Sequence, residues 1–518
     1  MADIVVYGGE AAGVAAALMA ARRAPRGTGV ALAFPERAPG GVITLGGLCG
    51  WERREWQRAG RRQDPQGGTF REWLEEVGPV YDPEAFAARL AALLAAAGVR
   101  VLAGHELEAV AGPAAAPRGR SRRGRSRTAG PLPAVSALRL RPLSPGPGSI
   151  PALLPEGAEG APPAVTVPGD VFIDGSATGR LARLAGVGLS TGRADWDPDG
   201  RQMAASILVA VEDVDWSGLQ QARDGQDRAV WGTSTEQSPD GPHRVFWGGA
   251  GIAANDAVLQ AFAIAHPGFR VGAPRAWEEG RGVFWVSALL VHNVDGRRRA
   301  YDAGTERDCE PVPPLSRDVD SAYREARNLA TSPDMLGALR RFPGMGKVRF
   351  AERDGEPRCA EVLLLRETVH ATAPGPDRFA VRVEDLTGAG AGGADGIDAR
   401  HRPRRIGLGF AWLENAGYTH GEVVPTTSAA MNPAQLPLDA ILAPPVANLL
   451  VPGFAARIES RAWWALRTAP NQCVLGDAAG VAAAFSVREG LSVLKFGTPE
   501  VAAVQNWLSA EGAILEKW

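Results

Sequence analysis

The stretch Tyr7-Gly8-Gly9-Glu10-Ala11-Ala12-Gly13 has the residue types of a turn that holds a phosphate. Small residues behind a strand let backbone N–H groups and a helix N-terminus approach an anion, since the helix dipole leaves partial positive charge there. Gly8 permits the sharp turn, and Gly13 lets helix and strand come close. A dinucleotide fingerprint would have a third glycine at position 10. Glu10 stands there instead, and its side chain must point away from any phosphate it would otherwise crowd and repel. Taken alone, the pattern fits an ordinary strand–helix turn as well as a nucleotide site.

Other stretches carry groups able to bind charge or move protons. Arg366 follows Leu363-Leu364-Leu365, a run apolar enough for a buried strand, so its guanidinium meets either a carboxylate or a cavity holding an anion. Glu367 beside it leaves open a structural ion pair at a strand end. Tyr418 and His420, in ENAGYTHGEV, can both transfer a proton, although a lone histidine is more often structural. In ESRAWWALRTAPNQ, Arg461 and Arg467 suit an anion, whereas Trp463 and Trp464 suit a core or cavity wall. The seven histidines include no pair at ligand spacing beside a cysteine or carboxylate cluster, so no metal is expected. No GxSxG elbow and no P-loop lysine motif occurs.

The elements that must position these groups begin with Ile4-Val5-Val6-Tyr7, a continuous apolar run suited to a central parallel strand. Ala11 to Arg23 is alanine-rich with no breaker before Pro25, and Gly29 to Phe34 supplies a second strand. Strand, helix and parallel strand make a right-handed crossover, whose first turn is where a diphosphate binds. Between 200 and 440, the stretches RVFWGG, GVFWVSALLV, AEVLLLRETV and RFAVRVEDL suggest a mainly β platform. From 111 to 169 the text turns to Pro, Gly, Ala and Arg, which cannot bury a core; most of it reads as a disordered insertion, with SALRLRPL at 136–143 able to form one edge strand. LTGAGAGGADG at 386–396 reads as a second exposed loop.

Composition narrows the function classes. With 518 residues, 45% of them hydrophobic, the chain can build two or more domains. Its net charge of −2 points to neither nucleic acid nor membrane. Only Lys347, Lys495 and Lys517 are lysines, so the arginine run RGRSRRGRSR at 118–127 reflects a chain-wide bias, and without interleaved aromatic residues it reads as a solvated loop. Cys49, Cys309, Cys359 and Cys473 are scattered and too few for a disulfide framework, which with the absence of a leader or apolar span predicts a cytoplasmic protein.

Three more segments change the weight of the opening turn. APGGVITLGGLCGW at 38–51 follows the second strand, VFIDGSATGRLARLAGV at 171–187 gives another strand ending in Asp174, and NLLVPGFAARIESRAWWALRTAPNQCVLGDAAGVAAAFSVREG closes the pattern at 448–490. Together these resemble the FAD-dependent oxidoreductases of the glutathione-reductase-like two-dinucleotide-binding fold, in the branch pairing an N-terminal GGxxAG turn with a C-terminal LGxAAG helix. The middle glycine is frequently replaced in that branch, so Glu10 is compatible with it. The resemblance implies an α/β fold: a Rossmann-like FAD/NAD(P)-binding domain from residues 1–110, 166–200 and 441–518, with a mainly β substrate domain at 201–440 and a low-complexity insertion at 111–165.

The resemblance also implies roles. Gly8, Gly9, Ala12 and Gly13 would hold the diphosphate, Gly40 and Gly41 would lie by the ribityl chain and flavin, and Val101 would serve the adenine through its backbone. Asp174, Gly175 and Thr178 would close the strand under the FAD, Gly453 would end the last strand, and a helix opening at Gly476, Asp477, Ala478, Ala479 and Gly480 would aim its positive end at the flavin. The family's ribose-binding carboxylate falls on Phe34 here; either Glu36 reaches the ribose through a shifted turn at Pro35, or the ribose is held otherwise. Cys49, Trp51, Glu52 and Trp56 would pass near the flavin, with Cys49 read as a small buried residue. Arg366, His420 and Arg467 are the groups expected to act on an unidentified small organic substrate by hydride transfer. A tRNA-modifying flavoprotein and a binding module without competent flavin are the alternatives.

Overall fold

The computed structural model describes residues 3–58, 60–112, 132–144, 152–153, 163–302, 316–372, 379–387, 401–419, 422 and 432–517. Most of the expected insertion, with its arginine run, nearly all of the 386–396 loop, Cys309 and His420 lie outside them.

Ile4–Tyr7 is the centre of a five-stranded parallel sheet. Val171–Asp174 and Leu449–Leu450 lie on one side of it, Val30–Phe34 and Arg100–Ala103 on the other. Tyr7 pairs with both Ala33 and Asp174, so three strands end level and their following turns meet at one edge. Period-two alternation divides the strand: Ile4 and Val6 join the core under the helices, while Val5 and Tyr7 join a second core with Leu107, Leu138 and Val167. Such two-sided burial explains the unbroken apolar run.

The helical face is made by Ala11–Arg23 and Ala469–Glu489, which pack closely because small residues meet. A Cβ at Gly476 would stand 2.3 Å from the Ala12 carbonyl oxygen, and one at Gly480 would stand 2.4 Å from that of Ala16. On the other face SALRLRPL forms Ala137–Ser144, but as an interior strand, between His105–Ala111 and Val165–Pro168. Its alternating Leu138 and Leu140 are buried on the large sheet, and the partner strand Val165–Pro168 covers the edge that local pattern left open.

The inserted part is a six-stranded antiparallel sheet in the order Trp231–Ser238, Gly241–Gly248, Phe269–Gly280, Val283–Val291, Ala205–Glu212 and Arg349–Phe350. RVFWGG and GVFWVSALLV fall in its strands. AEVLLLRETV does not form a regular strand: it runs beside Ala205–Glu212 on isolated bridges at Cys359 and Leu364. RFAVRVEDL turns helical at Val383–Thr387, where Glu459 accepts the Val383 N–H and Asp385 that of Arg382. In the first segment the N–H groups of Ala360, Glu361 and Leu364 go to the carbonyls of Leu208, Leu45 and Ser206, so its pairing is split between neighbours; in the second, carboxylates take up the backbone donors and start a helical turn.

Candidate active site

Four glycines interlock where the parallel strands end. Gly8 has φ +111°, and a Cβ on it would lie 2.2 Å from the Ser176 nitrogen; one on Gly13 would lie 2.0 Å from the Gly8 carbonyl oxygen. Gly175 is pressed against Gly13, and Gly453 against Gly175. Gly9 lies over the Phe34 ring, so the residue at the family's ribose position is a floor for the turn. The first turn and the second glycine pair are tied by a hydrogen bond from the Gly40 N–H to the Gly9 carbonyl, 2.7 Å.

Glu10 caps the helix Ala11–Arg23 without bonding its free N–H groups. Its carboxyl turns onto Gly41, where any Cβ would collide with it, and accepts the Val42 N–H at 3.2 Å. Burial and the neighbouring Glu36, opposed by that hydrogen bond, push it up to about 8, so at neutral pH it is mainly the uncharged acid. The repulsion expected from an ionised Glu10 is thereby relieved.

Three cavities meet at this residue. The largest of the three, about 660 Å³, is lined by Pro35 and Glu36 beyond the second strand, Ala103 and Gly104 at the end of Arg100–Ala103, Thr178, and Arg299 and Tyr323 from the inserted part. A smaller one touches Gly8, Gly9 and Ser176. A narrow crevice runs the other way to Glu52, Phe454, Arg467, Ala469 and Gln472. Glu10 lines all three. Glu36 is raised by burial, with Arg299 opposing. Val101 lies mid-strand and exposed, two residues short of the cavity that Ala103 borders.

The long helix opens at Ala469, behind Thr468, and not at Gly476. Gly476, Ala478, Ala479 and Gly480 are therefore buried in the helix middle, and Gly476 and Gly480 are spent on contact with the N-terminal helix. Asp477 faces the helix Thr69–Val77, accepting the Thr69 N–H at 2.9 Å and its hydroxyl at 2.5 Å; burial pushes it up to about 7, against those bonds. Asp174 is a turn-former, binding the Ser176 N–H and hydroxyl and the Ala182 N–H.

At the crevice, Arg467 bonds Glu52 at 3.1 Å, and Arg275 stands 3.6 Å from the same carboxylate. Burial raises Glu52, but Arg467, Arg275 and Arg366 together bring it below its ordinary value. Arg366 does not pair with Glu367. It donates to the Ala204 carbonyl at 3.0 Å and the Ser206 hydroxyl at 3.1 Å, and burial with the nearby Arg467 lowers it to about 10. Glu367 instead holds His370 at 2.9 Å and the Ser460 hydroxyl at 2.5 Å. Tyr418 is packed inside, bonded to Ser460 and to the Trp464 indole, and Arg461 lies over Trp196. Cys49 is buried, with its thiol pushed well up, and Trp51 donates to the Gly78 carbonyl. Arg275 and Arg299 were not legible as site residues, because arginine is too common in this chain to signal anything.

Among the described residues no cluster of His, Cys, Asp or Glu stands ready for a metal ion, and no helix is long and apolar enough to cross a membrane. The level strand ends, interlocked glycines and elongated cavity define a dinucleotide-binding flavoprotein fold. The chain matches the family described as FAD dependent oxidoreductase over residues 3–121 and 158–508 and belongs to it; it is an FAD-dependent oxidoreductase, with FAD as its cofactor. No curated protein matches it. Among solved structures it is similar to a geranylgeranyl bacteriochlorophyll reductase-like protein from Thermoplasma acidophilum, with 11% identity, 99% of this chain and 84% of that one covered, and a TM-score of 0.41. It is also similar to a myxobacterial chondrochloren halogenase, with 13% identity, coverage of 69% and 63%, and a TM-score of 0.30. Likeness at this level says nothing of substrate.

Proposed function

We propose that one FAD runs through the three cavities and that the protein oxidises or reduces a small organic molecule at the flavin end by hydride transfer. The supporting observation is that Glu10 borders all three cavities, so a single elongated ligand can pass it. Adenosine would lie against Glu36, Ala103 and Gly104, the diphosphate against Gly8, Gly9 and the start of the helix Ala11–Arg23, and the flavin by Glu52, Arg467 and Gln472. The buried Arg467 Nε and Gln472 Oε1 have no hydrogen-bond partner among the described residues, which fits a polar ligand in the crevice. Bound FAD supplies the hydride chemistry at its N5 atom.

The chain's own part is positioning and charge. Arg366, Arg467 and Arg275 lie around the carboxylate of Glu52, with the exposed Glu414 4.0 Å from Arg275, leaving a positive excess that favours an anionic group, whether on the substrate or on the reduced cofactor. Leu364, Leu365 and Phe454 keep water from that end. His420 enters as a proton carrier by its place in the sequence, two residues beyond the buried Tyr418. The test is the visible spectrum of the purified protein: it should be yellow and should release FAD, not FMN, on denaturation. A colourless protein that FAD cannot reconstitute would overturn the reading.

A further inference from the structure

The structure contains a second large cleft, about 1090 Å³, between the inserted sheet and the loop that follows the second glycine pair. Both exposed tryptophans among the described residues line it: Trp412, 54% exposed, and Trp247, 45% exposed. Solvent-facing indoles are costly unless something covers them, and two in one concavity mark a ligand site. Arg54 lies on Trp412, its guanidinium carbon 3.7 Å from the ring centroid, and no carboxylate pairs with it among the described residues. Burial lowers Arg54 below its ordinary value. Arg275, in the cleft wall, stands 3.6 Å from Glu52 of the flavin crevice, so an ion pair joins the linings of the two spaces.

The lining decides the class of ligand. Four arginines and three glutamates line it beside the aromatic faces; Arg53, Arg62 and Arg275 are engaged with Glu55, Glu236, Glu414 and Glu52, which leaves Arg54 as the arginine of the lining with no carboxylate partner among the described residues. A flat hydrocarbon would strip water from those charges with no compensation. A polyhydroxylated ring uses both kinds of surface, setting its C–H face on an indole and its hydroxyls among carboxylates and guanidiniums. The unpaired Arg54 adds a place for one negative charge. We propose that this cleft is the substrate site and that it takes a saccharide bearing a carboxylate, of two or three rings. The assignment rests on the flavin reading above, because it is the neighbouring flavin crevice that makes the cleft a substrate site.

The flavin-loaded protein is titrated with trigalacturonate, with neutral maltotriose and with benzoate, following tryptophan fluorescence and the flavin absorption band together. Trigalacturonate should quench the fluorescence and shift the flavin band, binding roughly 10-fold more tightly than maltotriose. Trp412→Ala should weaken it about 10-fold with flavin content unchanged, and Arg54→Gln should erase the preference for the charged sugar. The proposal is overturned if no saccharide binds at millimolar concentration, if maltotriose binds equally well, or if only benzoate binds. Those outcomes with flavin retained leave the flavoenzyme reading standing; loss of that reading would show instead as protein that never takes up FAD.

Discussion

Glu10 stands where the two glycine turns meet, on the path proposed for FAD. Its carboxyl sits between the two glycine turns, protonated at neutral pH because burial and Glu36 hold it up to about 8. An acid raised from 4.5 stabilises the fold fully below that value, and the contribution is lost as pH rises through about 8. Above pH 8 an ionised Glu10 would also face the diphosphate, so FAD should dissociate more readily there. Glu10→Gln should remove that dependence, and equilibrium dialysis of FAD between pH 6 and 9 checks it; a flat profile in the unaltered protein would sink the idea. Arg366 poses the complementary case. It bonds a carbonyl and a hydroxyl and, among the described residues, no carboxylate, and its charge reaches the crevice through Glu52, whose carboxyl it helps to lower. Arg366→Lys loses the planar fork and, buried beside Arg467, sheds its charge more easily. The flavin midpoint potential should fall by roughly 30 mV, about 1.4 kcal/mol for a two-electron couple. An unchanged potential with a lowered melting temperature would make Arg366 structural.

At the scale of elements, the glycines do two kinds of work. Gly8 and Gly13 shape the turn, whereas Gly476 and Gly480 let two helices touch along their backbones. Gly13→Val drives a side chain into the Gly8 carbonyl, moves the turn, and should abolish FAD retention in a protein that still folds. Gly480→Val pushes the helices apart against Ala16, a turn of helix beyond Ala12 and Gly13, so it should cost about 1–3 kcal/mol by urea denaturation while a flavin-bound fraction survives. Full flavin occupancy in Gly13→Val would mean the turn has been misassigned. Equal flavin loss in both variants would mean that the helix pair and the turn act as one unit.

Across the whole molecule, the inserted part is fastened to the nucleotide-binding part by a buried fork. Arg180, in the turn helix beyond Asp174, donates to both oxygens of Asp302 at 2.9 and 3.0 Å and also meets Glu106 at 2.8 Å. Tyr7, at the end of the central strand, bonds the same Glu106 at 2.5 Å. Asp302→Ala would leave half of a buried guanidinium without its partner, a loss of about 3–5 kcal/mol. It should lower the melting temperature and release flavin early, because Arg299, which lines the 660 Å³ cavity beside Glu10 and Glu36, is held from the same segment. A melt unchanged by that substitution would show that the two parts do not depend on this contact.

Much of this protein was determined by local sequence. The apolar run Ile4–Tyr7, the alanine-rich helix behind it and the second strand follow from period and propensity, and the glycine turn marks where a diphosphate can approach. FAD, the α/β class and the inserted β platform were legible because several such segments stand in order along the chain. The start of the long helix was not legible: Gly476 looks like a helix opening, but Thr468 and Pro470 begin it a full two turns earlier. Nor did local text reveal that Ala137–Ser144 would be flanked on both sides, or that Arg366 would turn from Glu367 to Ala204 and Ser206. Arg275, Arg299, Trp247 and Trp412 come from distant segments and gain meaning only where cavities bring them beside Glu52, Glu36 and Arg54. Backbone propensity and hydrophobic period act over a few residues, so sequence carries them directly. Burial, charge pairing and cavity walls are set by contacts between segments hundreds of residues apart, and only the folded chain decides them.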